Sequence, residues 1–169
     1  GTAALLVPPE SRWLEPLVIS HGFGADFPSG FYWPGTSDFS SWLALDAALE
    51  FWGAGRLAAG RSYGRQLVRE AARLLSNAWG TDLGIPEGML GPMALVELPP
   101  LPSLGAAGGP AKTEMTYDDA EAVQNALFQR RIEVPVKALS GRLYVRISAH
   151  IYNDISEYEV LRDAILDLA

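Results

Sequence analysis

The fold of this chain depends on the segment Arg142-Leu143-Tyr144-Val145-Arg146-Ile147-Ser148-Ala149-His150-Ile151-Tyr152-Asn153. Apolar and polar residues alternate through its first half, with the period of a strand that buries one face. The apolar set is Leu143, Val145 and Ile147, and the polar set is Tyr144, Arg146 and Ser148. The sequence therefore predicts a half-buried strand that turns a phenol, a guanidinium and a hydroxyl to one side.

Arg146 is the candidate ligand-binding residue of this strand. A guanidinium is planar and carries a fork of N–H donors, so it can bind a carboxylate through two parallel hydrogen bonds. The competing interpretation is structural, because most strand arginines face solvent or pair with a neighbouring acid, and the chain has 20 Asp and Glu residues. Spacing alone favours the structural role.

Length and composition indicate a globular protein without membrane spans. At 169 residues, of which 49% are hydrophobic, the chain suits one domain or two small ones with a packed core. It has no run of about 18 apolar residues, and no basic stretch leads into an apolar one at the N-terminus. We therefore expect a soluble cytoplasmic protein with no membrane partner.

Charge and cysteine content argue against several partners and sites. The net charge of -7 disfavours nucleic-acid binding, since phosphate backbones require clustered positive charge. Four arginines do recur at helical spacing, at Arg61, Arg65, Arg69 and Arg73. We interpret this row as a solvated or salt-bridged helix face. Without cysteine, the chain has no disulfide, thiolate nucleophile or cysteine metal ligand.

The first half of the chain predicts short elements around a structured loop. Residues 2–7 form an apolar run that two prolines end, which predicts a buried strand. Glycines, prolines and aromatic residues over 20–38 are typical of a functional loop. Apolar residues at helical intervals then predict a helix that ends near Gly53, with Asp38 or Ser40 as N-cap. The residues of this stripe are Trp42, Leu45, Leu49 and Trp52.

The second half predicts a long helix and then a compact α/β sandwich. The helix runs from about 56 to 78 and stops at Gly80. A strand follows over 93–98, then a breaker-rich loop over 99–110. A helix is predicted after Thr116, followed by a strand through Ile132, Val134 and Val136, and Pro135 places that strand near an edge. Ser140-Gly141 predicts a turn, and a Ser156–Glu159 capping box predicts the start of the last helix.

Three segments resemble class V aminotransferases, and the isopenicillin N epimerase-like branch most. They are Pro16-Leu17-Val18-Ile19-Ser20-His21-Gly22, Phe31-Tyr32-Trp33-Pro34-Gly35-Thr36-Ser37-Asp38 and Val145-Arg146-Ile147-Ser148-Ala149-His150-Ile151-Tyr152-Asn153. The last resembles the closing strand and turn of the family, and the segments stand in family order. The resemblance implies the C-terminal portion of a fold-type-I transferase that depends on pyridoxal phosphate, of α/β class, with a small α/β sandwich domain and a helical remnant of the large domain.

The resemblance also implies roles for individual residues. Arg146 would hold the carboxylate of an amino-acid substrate, and Gly35 and Thr36 would contact the cofactor phosphate of a neighbouring subunit, which implies a homodimer. Ser37 departs from the pattern, because relatives often have arginine there, and the function of that arginine is in doubt in this chain. Epimerisation, carbon-sulfur lysis and transamination all occur in such enzymes, and the choice stays open.

Several polar or aromatic residues are candidates for the same pocket. They are His21, Trp33, Ser148 and His150. Neither histidine has the paired cysteines or acids of a metal site, so we interpret both as hydrogen-bonded structural or pocket-lining residues and predict no metal. No Gly-x-Ser-x-Gly elbow accompanies a serine, which disfavours a hydrolase.

We expect no catalytic residue in this chain. The family's Schiff-base lysine precedes a strand like residues 1–6, and neither Lys112 nor Lys137 stands in that setting. The resemblance assigns residues 1–53 to a remnant of the large domain that includes a dimer-interface loop, from Phe23 to Trp33, 54–80 to a connecting helix and 81–169 to the small domain. The isolated chain is then expected to be inactive. The alternative is a non-catalytic amino-acid-binding or assembly module that uses Arg146 without breaking a bond.

Overall fold

The computed structural model describes residues 2–102 and 114–169. The chain divides into two compact units, Gly1–Gly53 and Ala54–Ala169. From residue 103 onward, the predicted breaker-rich loop lies outside the described residues.

The first unit is built from short helices. They are a 3-10 turn at Pro9–Ser11, α1 (Phe27–Tyr32), α2 (Ser40–Leu43) and α3 (Leu45–Trp52). The predicted strand over residues 2–7 is wrong, since these residues form no ladder and almost all are exposed. A strand is stable only where its backbone groups pair with a neighbour, and the described part of this unit supplies no neighbouring strand.

Two further predictions for this unit need correction. The predicted loop over 20–38 contains α1, because Asp26 caps a helical turn by accepting a hydrogen bond from the Ser29 amide (3.1 Å). The helix ending near Gly53 is confirmed, but it is divided at Ala44 into α2 and α3. The N-cap of α2 is Phe39 and not Asp38 or Ser40. Asp38 precedes the N-cap by one residue, and its carboxylate accepts a hydrogen bond from the Ser40 amide (2.8 Å).

The second unit contains an antiparallel sheet of three strands within the described residues. The strands are β1 (Met93–Glu97), β2 (Val136–Leu139) and β3 (Arg142–Ser148), in the order β1-β3-β2. β2 lies at an edge, as Pro135 predicted, although it begins later than the sequence pattern indicated. Pro135 has no N–H for the ladder, and the Val136 amide instead donates to the Gln124 side chain (3.1 Å).

Positive φ angles at Ser140 (49°) and Gly141 (75°) join β2 to β3. Two consecutive residues of this conformation match the twist of a tight hairpin, so the predicted turn is confirmed.

Helices cover one face of this sheet. α4 (Ala54–Trp79) packs against β1, β3 and the last helix, α6 (Ile155–Leu166), while α5 (Tyr117–Gln129) packs against β2. The buried apolar residues form one cluster that includes Leu67, Val68, Ala71, Leu75, Val96, Val123, Leu127, Val145, Ile147, Leu161 and Ile165. Burying a side chain of this size stabilises the fold by about 1.5–3 kcal/mol, so this cluster determines which face of the sheet is inside.

The helix ends follow local rules with one correction. α5 has the expected cap at Thr116, whose amide donates to the Asp119 carboxylate (2.8 Å). The predicted Ser156–Glu159 capping box is wrong by two positions. Asp154 is the N-cap, and its amide donates to Glu157 (3.2 Å) while its carboxylate accepts from the Ser156 amide (2.8 Å). The Ser156 hydroxyl also donates to this carboxylate, and it is this side-chain bond, followed by the bond from the Ser156 amide, that lowers the pKa of Asp154. The helix begins earlier because Asp154 is already in an extended conformation.

Replacing Gly80 should test the C-terminal end of α4. Gly80 has φ +68° with open space around it, so Gly80→Ala should lower the free energy of unfolding by about 1 kcal/mol through backbone strain alone. Gly88→Ala is the matched control, because Gly88 also has open space and no positive φ. Urea unfolding of both variants measures the difference, and equal stabilities would contradict this account.

Candidate functional site

Arg146 lies on the sheet face that the helices leave uncovered. Residues of β3 alternate between buried and accessible positions, and Leu143, Val145 and Ile147 take the buried ones. Arg146 is exposed, its amide donates to the Pro135 carbonyl (2.9 Å), and Leu95 of β1 stands opposite it in the ladder. The predicted half-buried strand is therefore confirmed, and its backbone is held between two neighbours.

Acids on this face are used by a different arginine. Arg142 Nη1 lies 3.0 Å and 3.2 Å from the two carboxylate oxygens of Glu97, across the β1–β3 ladder. That hydrogen bond, with the charge of Glu97, raises the pKa of Arg142. Arg146 has no ion pair among the described residues. Of these two strand arginines, Arg142 is paired with an acid, whereas Arg146 has no ion-pair partner among the described residues.

The surroundings of Arg146 are polar and cationic on one side. Tyr144 is half-buried, and Ser148 is exposed, two residues away along the same face. Lys137 of β2 is exposed and pairs with Tyr144 in the ladder, so it belongs to the same face. Arg146 therefore shares this face with a second cation and with two hydroxyl side chains of its own strand.

The turn after β3 is fixed by tyrosines from two helices. The Tyr158 hydroxyl of α6 donates to the Ser148 carbonyl (2.6 Å), and the Tyr63 hydroxyl of α4 donates to the Asn153 carbonyl (2.7 Å). Asn153 also donates from its side chain to Glu157 (2.8 Å). The end of β3 and the turn after it are thus anchored to α6 and α4.

His150 lies in this turn on the protein surface. Its amide donates to the Asn153 side chain (2.9 Å), and its ring stacks on Tyr152 with 4.6 Å between centroids. The exposed imidazole edge is compatible with the predicted pocket role, and the stacking limits its movement.

The site residues predicted in the first half all lie in the first unit. His21 is exposed in a turn, where a Cβ on the next residue, Gly22, would overlap the Ser29 carbonyl of α1. Trp33 stacks with Phe39 at 6.3 Å between centroids. The backbone of Gly35 has φ +129° and open space beside it, and Thr36 is exposed.

The sequence predicted only some of the residues that form this arrangement. Arg146, Ser148 and His150 share one strand and its turn in the second unit, as the segment predicted. Tyr63, Tyr158 and Glu97 were missed, although they hold the strand end and pair the competing arginine. The available signal for Glu97 was its place next to Val96 in an alternating strand, which puts it on the polar face. No local pattern marks the two tyrosines.

The described residues contain neither a metal-ligand cluster nor a membrane-spanning helix. No group of three or more His, Cys, Asp or Glu side chains in this part of the chain is arranged to hold a metal ion. Of the helices the structure describes, none combines the length and apolarity needed to cross a membrane.

Known proteins identify the family of this chain. No family model matches it. The L-cysteine desulfhydrase of Arabidopsis thaliana is 33% identical over 174 residues, which are 89% of this chain and 35% of that protein. The isopenicillin N epimerase of Amycolatopsis lactamdurans is 30% identical over 146 residues, covering 80% of this chain and 31% of that protein. This chain is homologous to class V aminotransferase-like enzymes that use pyridoxal phosphate.

The homology confirms the family that the three motifs indicated, but it covers only part of each relative. The chain spans about a third of the length of the curated relatives it matches. A second Arabidopsis relative is 31% identical over 163 residues, which are 88% of this chain and 31% of that relative. Its name places it in the chloroplast.

The residues of this chain fit part of a pyridoxal phosphate site. Gly35 allows close backbone approach, and the Thr36 hydroxyl can donate to a phosphate oxygen. Lys137 is exposed on an edge strand rather than in the family's Schiff-base setting, and Lys112 lies outside the described residues. The described residues therefore include groups able to contact a phosphate and a carboxylate, but no described lysine is suited to hold the cofactor covalently.

Tyr158→Phe should test the anchor beneath the strand end. The change leaves the Ser148 carbonyl without its donor, so the free energy of unfolding should fall by about 1–2 kcal/mol near neutral pH. Burial raises the pKa of Tyr158 to about 12, from 10.0. The unfolded chain thus loses this proton first, and wild-type stability should fall as the pH rises from 10.0 towards about 12.

The phenylalanine variant should lack this component of the alkaline loss. Denaturant unfolding between about pH 9 and pH 12 measures it. Tyr117→Phe is the control, because Tyr117 is 71% exposed. Parallel alkaline curves for wild type and the Tyr158 variant would contradict the burial of an un-ionised phenol.

Proposed function

We propose that this chain is the C-terminal portion of a fold-type-I enzyme that depends on pyridoxal phosphate, and that Arg146 binds the carboxylate of its amino-acid substrate. The observation that carries this proposal is a guanidinium on an uncovered sheet face with no ion pair among the described residues, four residues from an arginine that is paired. The homology to amino-acid-metabolising enzymes supports it.

The strand makes Arg146 suitable for orienting a substrate. Its backbone is fixed by β1 on one side and by the Pro135 carbonyl on the other, and the strand end is anchored by Tyr158. A rigid support limits the angular spread of the guanidinium, and two parallel hydrogen bonds fix both the position and the plane of a carboxylate. Selecting the bond that breaks at an amino acid depends on this kind of orientation.

Carbon-sulfur lysis of a cysteine-like amino acid is the favoured reaction. An L-cysteine desulfhydrase is among the homologues at 33% identity, while the epimerase is 30% identical over a shorter region. When bound, pyridoxal phosphate supplies the electron sink for such chemistry. The part assigned to this chain is to hold the substrate carboxylate. Epimerisation is the second candidate and transamination the third.

The assignment of the segments is part of the same proposal. Residues 1–53 belong to the large domain, 54–80 to a connecting helix and 81–169 to the small domain. Gly35 and Thr36 contact the cofactor phosphate of a neighbouring subunit in a homodimer, while His21, Trp33, Ser148 and His150 line the pocket. A cytoplasmic location stays a prediction, since the name of one relative is chloroplastic.

The substrate role can be tested by substituting arginines in the whole reading frame that contains this chain. The protein is expressed together with its upstream coding sequence. Arg146→Ala should raise KM for L-cysteine about 10²- to 10³-fold, because two charge-assisted hydrogen bonds are lost. The KM of Arg146→Lys should lie between those of the wild type and Arg146→Ala, since an ammonium keeps the charge but cannot bind a carboxylate bidentately. Pyruvate and sulfide release measure the lyase reaction, and chiral chromatography measures epimerisation.

Arg142→Ala is the matched control for this series. It removes a guanidinium from the same face of the same strand, but one that Glu97 already pairs. Its KM should stay within about threefold of wild type, and the cofactor absorbance should be unchanged in all variants. Equal KM effects at positions 142 and 146, or an unchanged KM in Arg146→Ala, would overturn the assignment.

The second candidate function is a non-catalytic amino-acid-binding or assembly module. It is favoured by one observation, that the second unit carries both its own buried core and the available guanidinium. Calorimetry of the 169-residue chain with a panel of amino acids, without cofactor, should then show binding that Arg146→Ala abolishes and Arg142→Ala keeps. Absence of binding by the folded chain would exclude this function and leave the enzyme proposal standing.

A further inference from the structure

An open groove of about 980 Å³ runs along the outer side of α4. We call it the arginine groove, because four arginines at four-residue intervals line it together with two glutamates. The charged lining residues are Arg61, Arg65, Arg69, Arg73, Glu70 and Glu87. Arg146 is not among the lining residues, so this groove is separate from the site proposed for substrate.

One end of the groove shows how its arginines bind. Arg73 donates from its Nη2 to one oxygen of Glu87 at 2.6 Å and from its Nε to the other at 3.3 Å. Glu87 comes from the 3-10 turn Glu87–Met89, far along the chain from Arg73. The solvated or salt-bridged interpretation of the row is therefore confirmed for Arg73, and the pair shows a side-chain carboxylate as the anion that fits here.

The other arginines of the row have no such partner in the described part of the chain. Arg69 is half-buried, and its Nε is buried without a hydrogen-bond acceptor among the described residues. Arg61 and Arg65 are exposed and make no ion pair with any described residue. A buried guanidinium N–H without an acceptor is unfavourable, so Arg69 is the arginine of this row that would gain most from a carboxylate partner.

Spacing and charge limit the ligands that can bind. Residues four apart on a helix are separated by about 6 Å along its axis, so Arg61, Arg65 and Arg69 form a row of three cations. After the Arg73–Glu87 pair is set aside, Glu70 is the one acid left among the described residues that line the groove. A helix with carboxylates at the same interval is complementary to such a row. Nucleic acid fits less well, since glutamates line the groove and the chain has net charge -7.

We propose that the arginine groove docks a short acidic helix of another polypeptide segment, with carboxylates at four-residue intervals that pair with Arg61, Arg65 and Arg69. In the relatives, about two thirds of the polypeptide lies outside the region shared with this chain, so a protein of this family has further segments able to supply such a helix.

Peptide binding to the 169-residue chain tests this proposal directly. The probe is a fluorescent alanine-based helical peptide with glutamate at three consecutive four-residue intervals, and its matched peptide has glutamine at those positions. The glutamate peptide should bind at least about tenfold more tightly than the glutamine peptide. Raising the salt from about 20 mM to about 300 mM should weaken its binding several-fold.

Two double variants locate the site. Arg65→Gln with Arg69→Gln should weaken binding of the glutamate peptide at least about tenfold. Arg61→Gln with Arg65→Gln changes only exposed residues, so it keeps the test valid if loss of Arg69 impairs folding. Arg12→Gln with Arg130→Gln is the control, because it removes the same charge from exposed positions outside the groove. This control should bind as wild type does.

Several outcomes would overturn the proposal. They are equal binding of the two peptides, equal losses in the control and the groove variants, and tighter groove-dependent binding of duplex DNA than of the glutamate peptide. Self-association of the chain that the groove variants abolish would also overturn it, because the occupant would then be a second copy. None of these results depends on cofactor or on Arg146, so they are distinct from a failure of the proposed function.

Discussion

The packing of β3 against the helix layer is the constraint on which the second unit depends. Leu143, Val145 and Ile147 enter the core shared with α4 and α6, and side chains in a strand alternate between faces. Moving β3 by one residue in its pairing would bury Arg146 and expose these three apolar side chains. The free energy of core burial therefore holds the guanidinium on the uncovered face, without any direct contact to that guanidinium.

Acidic residues determine which arginines remain available. On the sheet, Glu97 pairs with Arg142 and leaves Arg146 without an ion pair among the described residues. On α4, Glu87 pairs with Arg73 and leaves Arg69, four residues away, with a buried donor that no described residue satisfies. In both places one arginine is paired with an acid and a neighbouring arginine on the same element is not. The presence of a charge therefore does not tell a structural arginine from a binding one in this acidic chain, whereas the ion pair does.

The two units carry different parts of the proposed enzyme. The first has the glycine and threonine suited to a phosphate, in the segment between α1 and α2, and many of its large apolar residues are exposed. The second has the continuous core and the arginine strand. Homology over about a third of the relatives' length agrees with such a partial set of contacts, because the lysine that the family uses to hold its cofactor is not found in a suitable setting among the described residues.

The sequence by itself determined the elements whose signals are local. Alternation predicted β3, the Ser140-Gly141 pair predicted the hairpin, and the four-residue arginine interval predicted one helix face. It failed where long-range pairing decides. Residues 2–7 have the apolar composition of a strand but no described neighbour to pair with. Only the tertiary structure decided which arginines are paired and which tyrosines anchor the turn, because Glu97 lies 45 residues from Arg142, and Tyr63 lies 90 residues from Asn153. Contacts over such separations are set by the packing of the whole unit, which no local pattern records.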